Sequence, residues 1–302
     1  MLLGLLPFVT HAAPKIGVLL KGRAPFWSAV EKGALEAGQQ LGAEVVVKAP
    51  LSESDVSVQI QLLNALAAQG ATAIVIAPIN KEALAVPIAS IAVKGVKVVV
   101  IDTPLTGKAA PVFIGTDHNA AGEAAGKLLA SLVTDADEVS ILKHAQSSGA
   151  TTQREAGALA AFRAMHPASV VRGEIYASVE VGGEIEKAQL LLAEHPATKA
   201  ILASGTPGTL AMLKVLQDKK LAGAVKLVGF GFNLNPEVAA ALESGAMSGW
   251  IAQLPKEIGT RAVVAAVSLL KGEAVPAVVY TDFVVITKDN LKDPKVQALL
   301  AL

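Results

Sequence analysis

Residues 112–119, VFIGTDHN, decide the fold because they join a short apolar run to the start of a helix with no linker between them. The run 112–115 has the length of a buried strand, and Asn119 is a residue type common at helix starts. On both sides of this junction, short β-rich runs alternate with Ala-rich or amphipathic helical segments, which is the pattern of βαβ units in a parallel sheet. The junction therefore separates two closely coupled series of such units.

Each series contains five candidate strands. The first series comprises 15–20, 44–47, 73–77, 96–101 and 112–115, and the second comprises 138–143, 170–177, 200–203, 226–230 and 248–253. Helix starts are marked by Pro25, Asn119, Thr151, Pro207, Pro236 and Pro255, and helix ends by Gly42, Gly70, Gly95, Gly245 and Gly272. About ten strands are more than one twisted sheet usually holds, so the predicted fold class is α/β, with two doubly wound parallel-sheet lobes of five to six strands.

Composition excludes several classes of function. Hydrophobic residues make up 52% of the 302 residues and charged residues 17%, so the chain is not disordered. Lys plus Arg and Asp plus Glu are 26 each, which leaves no positive excess for nucleic acid or an anionic bilayer. The chain has no cysteine and therefore no disulfide, thiolate metal site or cysteine nucleophile.

The amino terminus predicts export. Residues 2–9 form a short apolar run, and small residues follow it up to Ala13, where a signal peptidase would cut. We therefore expect residues 1–14 to be a signal peptide, a buried strand or a frayed end being the alternatives. The run is shorter than the roughly 20 apolar residues that a membrane span needs, and no later stretch resembles one.

Motifs for catalysis and cofactor binding are missing from the sequence. The first strand runs into 21–27, KGRAPFW, which lacks the glycine fingerprint of dinucleotide folds, and neither a phosphate loop nor a nucleophile elbow occurs. The five histidines show no metal-ligand spacing. His118, beside Asp117, could serve as a general base, but a hinge or capping role is the favoured interpretation. The sequence predicts neither an enzyme nor a bound cofactor or metal.

Ligands of open α/β sheets bind beyond the carboxyl ends of the strands, so we expect the ligand contacts to lie in those loops. Phe26 and Trp27 follow the first strand and could stack on a sugar ring, the alternative being that one of them packs in the core. Asp102, followed by Thr103, ends the fourth strand and could accept bonds from two hydroxyls, or else cap a helix or order its loop.

Three further candidates lie in the second series. Arg154 is in the first turn after the 138–143 strand, where its planar fork suits a diol or a carboxylate; a surface ion pair with Glu155 or Glu186 is the alternative. Gln253 ends the last strand with both a donor and an acceptor. Asn233 is either a ligand contact or a turn residue.

Taken together, these residues resemble the type I periplasmic sugar-binding proteins, the ribose/galactose-type solute receptors of ABC transporters. The resemblance covers nearly the whole chain after residue 14. It rests on the order and spacing of the segments 25–27 (PFW), 101–103 (IDT), 114–119 (IGTDHN) with Gly122, 154–157 (REAG), 228–230 (VGF), 251–255 (IAQLP) and 270–273 (LKGE).

The resemblance implies a three-strand hinge, with crossings between the lobes near Asp117, Gln253 and Tyr280. One lobe would then be 15–116 plus 254–280, and the other 117–253 plus 281–302. It also implies that Phe26, Trp27, Asp102, Arg154 and Gln253 hold a monosaccharide. The chain departs from the ribose-receptor pattern at Ala24, Ala77, Thr103, Val179, Gly205 and Gly231.

Those departures remove hydroxyl partners and imply a larger pocket, so ribose itself is not expected. A larger sugar, a deoxy or methylated sugar, a polyol or another small metabolite stays open. The predicted function is a monomeric periplasmic solute-binding protein that closes on a small polar ligand, most simply a sugar, and delivers it to the permease of an ABC transporter. The alternatives are a periplasmic sensor for a receptor kinase or chemoreceptor, a repressor core, which would need a helix-turn-helix before Lys15, and an enzyme.

Overall fold

The structure is a computed structural model that describes residues 13–107, 112–169, 171–177 and 182–301. The predicted signal peptide lies almost wholly outside the described residues, and Val179 also lies outside them. Among the described helices, none combines the length and the apolar character that a membrane span requires.

Strands and helices alternate along most of the chain. The strands are β1 (Lys15–Leu19), β2 (Glu44–Lys48), β3 (Ala73–Ile76), β4 (Lys97–Ile101), β5 (Val112–Thr116), β6 (Glu138–Lys143), β7 (Val171–Tyr176), β8 (Thr198–Ala203), β9 (Lys226–Phe232), β10 (Gly249–Gln253), β11 (Val278–Thr281) and β12 (Phe283–Ile286). The helices are α1 (Pro25–Leu41), α2 (Val56–Ala68), α3 (Ala85–Val93), α4 (His118–Ala130), α5 (Gly149–Met165), α6 (Gly183–Glu194), α7 (Thr206–Asp218), α8 (Pro236–Ser244), α9 (Pro255–Leu270) and α10 (Pro294–Gln297), and a 3₁₀ turn, Ala298–Ala301, follows.

The strands form two sheets of six, one in each lobe. The first lobe has the order β11-β5-β4-β3-β1-β2, and the second has the order β12-β10-β9-β8-β6-β7. All pairs are parallel except β12, which runs antiparallel to β10. The predicted α/β class with two doubly wound lobes is confirmed, and the antiparallel edge strand is the one departure from a parallel sheet.

Helices cover both faces of each sheet. Successive side chains of a strand point to opposite faces, so a strand can contribute to two apolar clusters. In β3, Ala73 and Val75 pack in one apolar cluster, whereas Ile74 and Ile76 pack in the cluster on the other face. β8 repeats the arrangement in the second lobe. Continuous apolar runs in the sequence are the signature of strands covered by helices on both sides.

Glycines allow one helix pair in each lobe to pack with backbones in close approach. A Cβ atom on Gly33 of α1 would lie 2.0 Å from the carbonyl oxygen of Lys256 in α9. In the second lobe, a Cβ on Gly122 of α4 would lie 2.2 Å from the carbonyl oxygen of Arg154 in α5. The second contact fixes the position of the backbone that carries Arg154.

The chain passes between the two sheets at three places. β5 leads into α4, β10 leads into α9, and β11 leads into β12 through Asp282 alone. The side chains of Thr116 and Gln253 connect two of these passages, since the Thr116 hydroxyl donates to Oε1 of Gln253 at 3.3 Å. The loops at the carboxyl ends of both sheets consequently lie close to these crossings.

Candidate functional site

A cleft of about 600 Å³ lies between the two lobes and is lined by loops at the carboxyl ends of both sheets. Six of the predicted residues line it, namely Phe26, Trp27, Asp102, Arg154, Asn233 and Gln253. Thr103 does not line the cleft, because it is fully buried behind Asp102. The structure thus brings together residues that are far apart in the sequence and come from both lobes.

Asp102 is held in a strained turn at the end of β4. Its φ is +60°, an unusual value for a residue other than glycine, and the Thr103 N–H donates to the Ile101 carbonyl at 2.6 Å. Its own N–H donates to the carbonyl of Ile114 at 3.0 Å. Gly115 leaves room for this turn, since a Cβ there would lie 3.1 Å from the Asp102 nitrogen. Strain of this kind is typical of functional sites.

The Asp102 carboxylate forms a buried ion pair with Lys21. Lys21 Nζ donates to Oδ2 of Asp102 at 2.9 Å and to the Thr103 hydroxyl at 2.5 Å, and that hydroxyl donates to the same Oδ2 at 2.8 Å. Lys21 and Asp102 are each 5% exposed. Burial raises the pKa of Asp102, but the charge and hydrogen bond of Lys21, with the smaller effects of His118 and Arg154, together outweigh it and bring the pKa to about 2. Thr103 thus supports Asp102 rather than contacting a ligand.

Aromatic rings form part of both walls of the cleft. Phe26 packs edge to face on Trp27, with ring centroids 4.8 Å apart, and on Phe232 of the other lobe at 5.5 Å. Trp27 is only 4% exposed and packs in the core of the first lobe, while its Nε1–H donates to Glu53 at 2.6 Å. Phe26 is therefore the more accessible platform, and Trp27 supports it.

Arg154 is a buried cation without an acidic partner among the described residues. It is 4% exposed, its Nη1 donates to the Ser204 carbonyl at 3.1 Å, and its guanidinium carbon lies 4.9 Å from the centre of the Phe230 ring. Burial lowers its pKa to about 10, so it stays charged at neutral pH. The alternative of an ion pair with Glu155 or Glu186 is wrong.

His118 connects Arg154 to Asp102 across the lobes. Its Nδ1 accepts from Nε of Arg154 at 3.2 Å, so the proton resides on Nε2, which lies 2.7 Å from the Asp102 carbonyl oxygen. Burial and the charge of Arg154 lower the pKa of His118 to about 3, and the ring is neutral. His118 does not line the cleft, which fits the hinge role rather than that of a general base.

Gln253 bonds to the end of β9 through its side chain and to Asn233 through its backbone. The side-chain Nε2 of Gln253 donates to the Gly231 carbonyl at 3.4 Å, and the Asn233 N–H donates to the backbone carbonyl of Gln253 at 3.2 Å. Asn233 has a φ of +46° and its carbonyl accepts from Nε1 of Trp250 at 2.8 Å, so it is a turn residue that also lines the cleft.

The glycine at position 231 has a structural cause. A Cβ there would lie 1.8 Å from the Trp250 ring, so the indole fills the space that a side chain at this position would need. The expectation of a larger pocket is wrong at this position. Ala24 and Gly205, by contrast, do line the cleft, whereas Ala77 does not.

Sequence reasoning missed several polar residues of the cleft, of which Lys21 and His144 are the most informative. Lys21 follows the end of β1 by two residues and His144 comes directly after β6, so the rule that ligands bind at strand-end loops could have found them. His144 lies beside Gly205, and its Nδ1 is a buried atom with no hydrogen-bond partner in the described part of the chain. Burial lowers the pKa of His144, so this nitrogen is available to a ligand hydroxyl.

Known proteins resemble this chain in sequence. Residues 16–274 match the model of the periplasmic binding protein domain family. A D-allose-binding periplasmic protein of Escherichia coli is 27% identical over 82% of this chain and 82% of its own length. A D-ribose/D-allose-binding protein of Pseudomonas aeruginosa is 32% identical over 73% of this chain and 72% of its own length.

Solved structures resemble it in fold. A carbohydrate transporter solute-binding protein of Agrobacterium radiobacter, in complex with D-arabinose, has a TM-score of 0.90 and 29% identity, covering 96% of this chain and all of its own. A solute-binding protein of Agrobacterium vitis, bound to α-D-tagatopyranose, has a TM-score of 0.87 and 26% identity. The match covers 95% of this chain and 98% of that protein. The chain belongs to the periplasmic binding protein domain family.

Proposed function

We propose that the protein captures a sugar in the cleft between its lobes and delivers it to an ABC transporter from the periplasm, without altering it chemically. The convergence of Asp102, Arg154 and Gln253 on one cleft, from loops of two separate sheets, carries the proposal. Relatives named for binding ribose and allose, and a neighbour in complex with arabinose, support a sugar as the ligand.

Each residue has a defined task in this proposal. Lys21 and Thr103 bond to Oδ2 of Asp102, so Oδ1 is the oxygen left to accept from a sugar hydroxyl. Arg154 uses Nε and Nη1 on protein partners and offers Nη2 to the ligand. The half-buried Phe26 ring covers the C–H face of the sugar.

The balance of charge favours a neutral ligand. Among the described residues, the cationic side chains that line the cleft are Lys21 and Arg154, and the anionic ones are Asp102 and Glu53. The two signs cancel, and a buried cation can be satisfied by hydroxyl oxygens as well as by a carboxylate. A sugar bonded to both lobes stabilises the closed arrangement, which is how binding is coupled to hinge closure.

We also propose that the protein acts as a monomer, because described residues of one chain line both walls of the cleft. Light scattering after size exclusion would give the mass of one chain of 30.8 kDa, less any leader that has been removed. A mass of two chains would contradict this part of the proposal.

A thermal-shift screen tests the function. D-Ribose, D-allose, D-arabinose and D-tagatose are compared with amino acids of similar size, because a ligand that binds only the folded state raises its melting temperature. At 100 times Kd the stabilisation is about 2.7 kcal/mol. We expect at least one sugar and none of the amino acids to raise the melting temperature; a response to amino acids alone would overturn the proposal.

A further inference from the structure

The cleft has two chemically different ends. We define the polar end by Lys21, Asp102, Arg154 and Gln253. Two of these side chains bond to residues at the crossings between the lobes. Arg154 donates to His118 at the start of α4, and Gln253 accepts from Thr116 at the end of β5. The polar groups are therefore concentrated beside the hinge.

The other end is lined by apolar side chains of the second lobe. We define this apolar end by Pro207, Leu210, Leu234, Leu299 and Leu300. They come from three segments, which are the first turns of α7, the loop from β9 to α8 and the 3₁₀ turn at 298–301. The Leu234 N–H donates to the Leu299 carbonyl at 3.3 Å, so two of these segments are joined directly.

The apolar end is accessible to a ligand. Pro207 is exposed, Leu210 is half-buried, and Leu300 is 38% exposed. Leu234 and Leu299 are buried and form the floor beneath them. Apolar surface that faces a wet cleft is covered favourably by an apolar group.

An unsubstituted sugar does not match this surface. Thr206 and Asn235, the chain neighbours of Pro207 and Leu234, offer it two polar groups. Its other hydroxyls would lose water against leucine and proline side chains that offer no hydrogen bond, and an unpaired buried hydroxyl is unfavourable. The cleft of about 600 Å³ also falls within the range of roughly 300–1,000 Å³ that holds drug-sized ligands, which exceeds the space one sugar ring needs.

We propose that the ligand is a neutral monosaccharide that carries an apolar substituent, such as an alkyl or aryl glycoside, with its ring at the polar end and its substituent at the apolar end. The inference rests on the proposed function, since it places the sugar ring on Asp102 and Arg154. It adds the class of sugar that the cleft selects.

Isothermal titration of the full chain tests the inference. D-Ribose, D-allose and D-arabinose are compared with their methyl and phenyl glycosides in both anomeric forms. We expect the best phenyl glycoside to bind at least about tenfold tighter than its free sugar, because burial of a ring adds apolar contact area. Glycosides that bind no tighter than any free sugar would overturn the inference and leave the proposed function standing.

A variant pair locates the substituent. In Leu210→Gln the ratio of phenyl glycoside affinity to free sugar affinity should fall from about ten to about one, because a polar amide replaces the apolar contact. Leu190→Gln is the control, since Leu190 is 37% exposed on α6 and does not line the cleft, and it should keep the wild-type ratio. An unchanged ratio in Leu210→Gln would overturn the inference, whereas the failure of every sugar and glycoside to bind would overturn the proposed function as well.

Discussion

The two walls of the cleft satisfy their polar groups in different ways. On the first lobe, Lys21, Asp102 and Thr103 bond to one another, so the buried charges of that wall have partners without a ligand. On the second lobe, Arg154 has no acidic partner among the described residues, and Nδ1 of His144 has no partner there at all. The difference suggests that the first wall is built for stability and that the second wall is completed by the ligand. Changes on the first wall should therefore act on folding as well as on binding, and changes on the second wall mainly on binding.

The largest effect on folding is expected from Asp102→Ala. It leaves the Lys21 ammonium buried without its partner, and breaking a buried ion pair in this way costs about 3–5 kcal/mol of unfolding free energy. Urea unfolding of the ligand-free protein measures the change. The double variant Lys21→Met/Asp102→Leu should regain most of the loss, because it removes both charges. A single variant as stable as wild type would show that the pair contributes nothing to folding.

The glycines of the two helix pairs separate folding from binding. Gly33→Ala and Gly122→Ala should each destabilise the protein by about 1–3 kcal/mol, because each new methyl group overlaps a carbonyl oxygen. Only Gly122→Ala displaces the backbone of Arg154, so only that variant should also weaken sugar binding, as titration would show. Equal affinities in the two variants would contradict the link between helix packing and the second wall.

Acid should destabilise the protein through His118. The pKa of His118 is about 3 in the folded state and about 6.5 when unfolded, so the unfolded state alone binds this proton between those values. Unfolding free energy should accordingly fall as pH drops from 6.5 towards 3, by up to about 1.4 kcal/mol per pH unit. Urea unfolding across this range should show a shallower slope for His118→Gln. Some slope should persist, because the lowered pKa of His144 acts in the same direction.

The smallest effect is expected at Trp27. Trp27→Phe removes the hydrogen bond to the half-buried Glu53 and keeps most of the apolar contact, so the loss should be about 0.5–1.5 kcal/mol. Trp250→Phe is the counterpart in the second lobe. It should cost more, because the fully buried indole also fills the space over Gly231. Thermal unfolding would rank the two, and the reverse order would contradict the packing described here.

The sequence was sufficient for the overall architecture but not for its two edge strands. Unbroken apolar runs predict buried strands such as β3. Gly42 and Gly245 end helices with positive φ values, as expected. β11 and β12 have four residues each and are only partly buried, so they carry little periodic signal. Their assignment to different sheets depends on tertiary pairing.

The site was predictable where its residues lie in the loops that follow strands. That rule placed Asp102, Arg154 and Gln253 in one cleft, but it does not tell a ligand contact from a supporting residue, as Thr103 shows. The role of His118 as a link between Asp102 and Arg154 depends on three segments meeting in space, and no local pattern encodes it.

The most direct test of the account is the affinity of Arg154→Gln for the sugar that raises the melting temperature most. Arg163→Gln is the matched control, because Arg163 is exposed on the same helix, α5. Titration should show a loss of about 10- to 100-fold for Arg154→Gln, the value of a buried hydrogen bond to a charged group, and no change for Arg163→Gln. Wild-type affinity in Arg154→Gln would contradict a sugar held between the two walls.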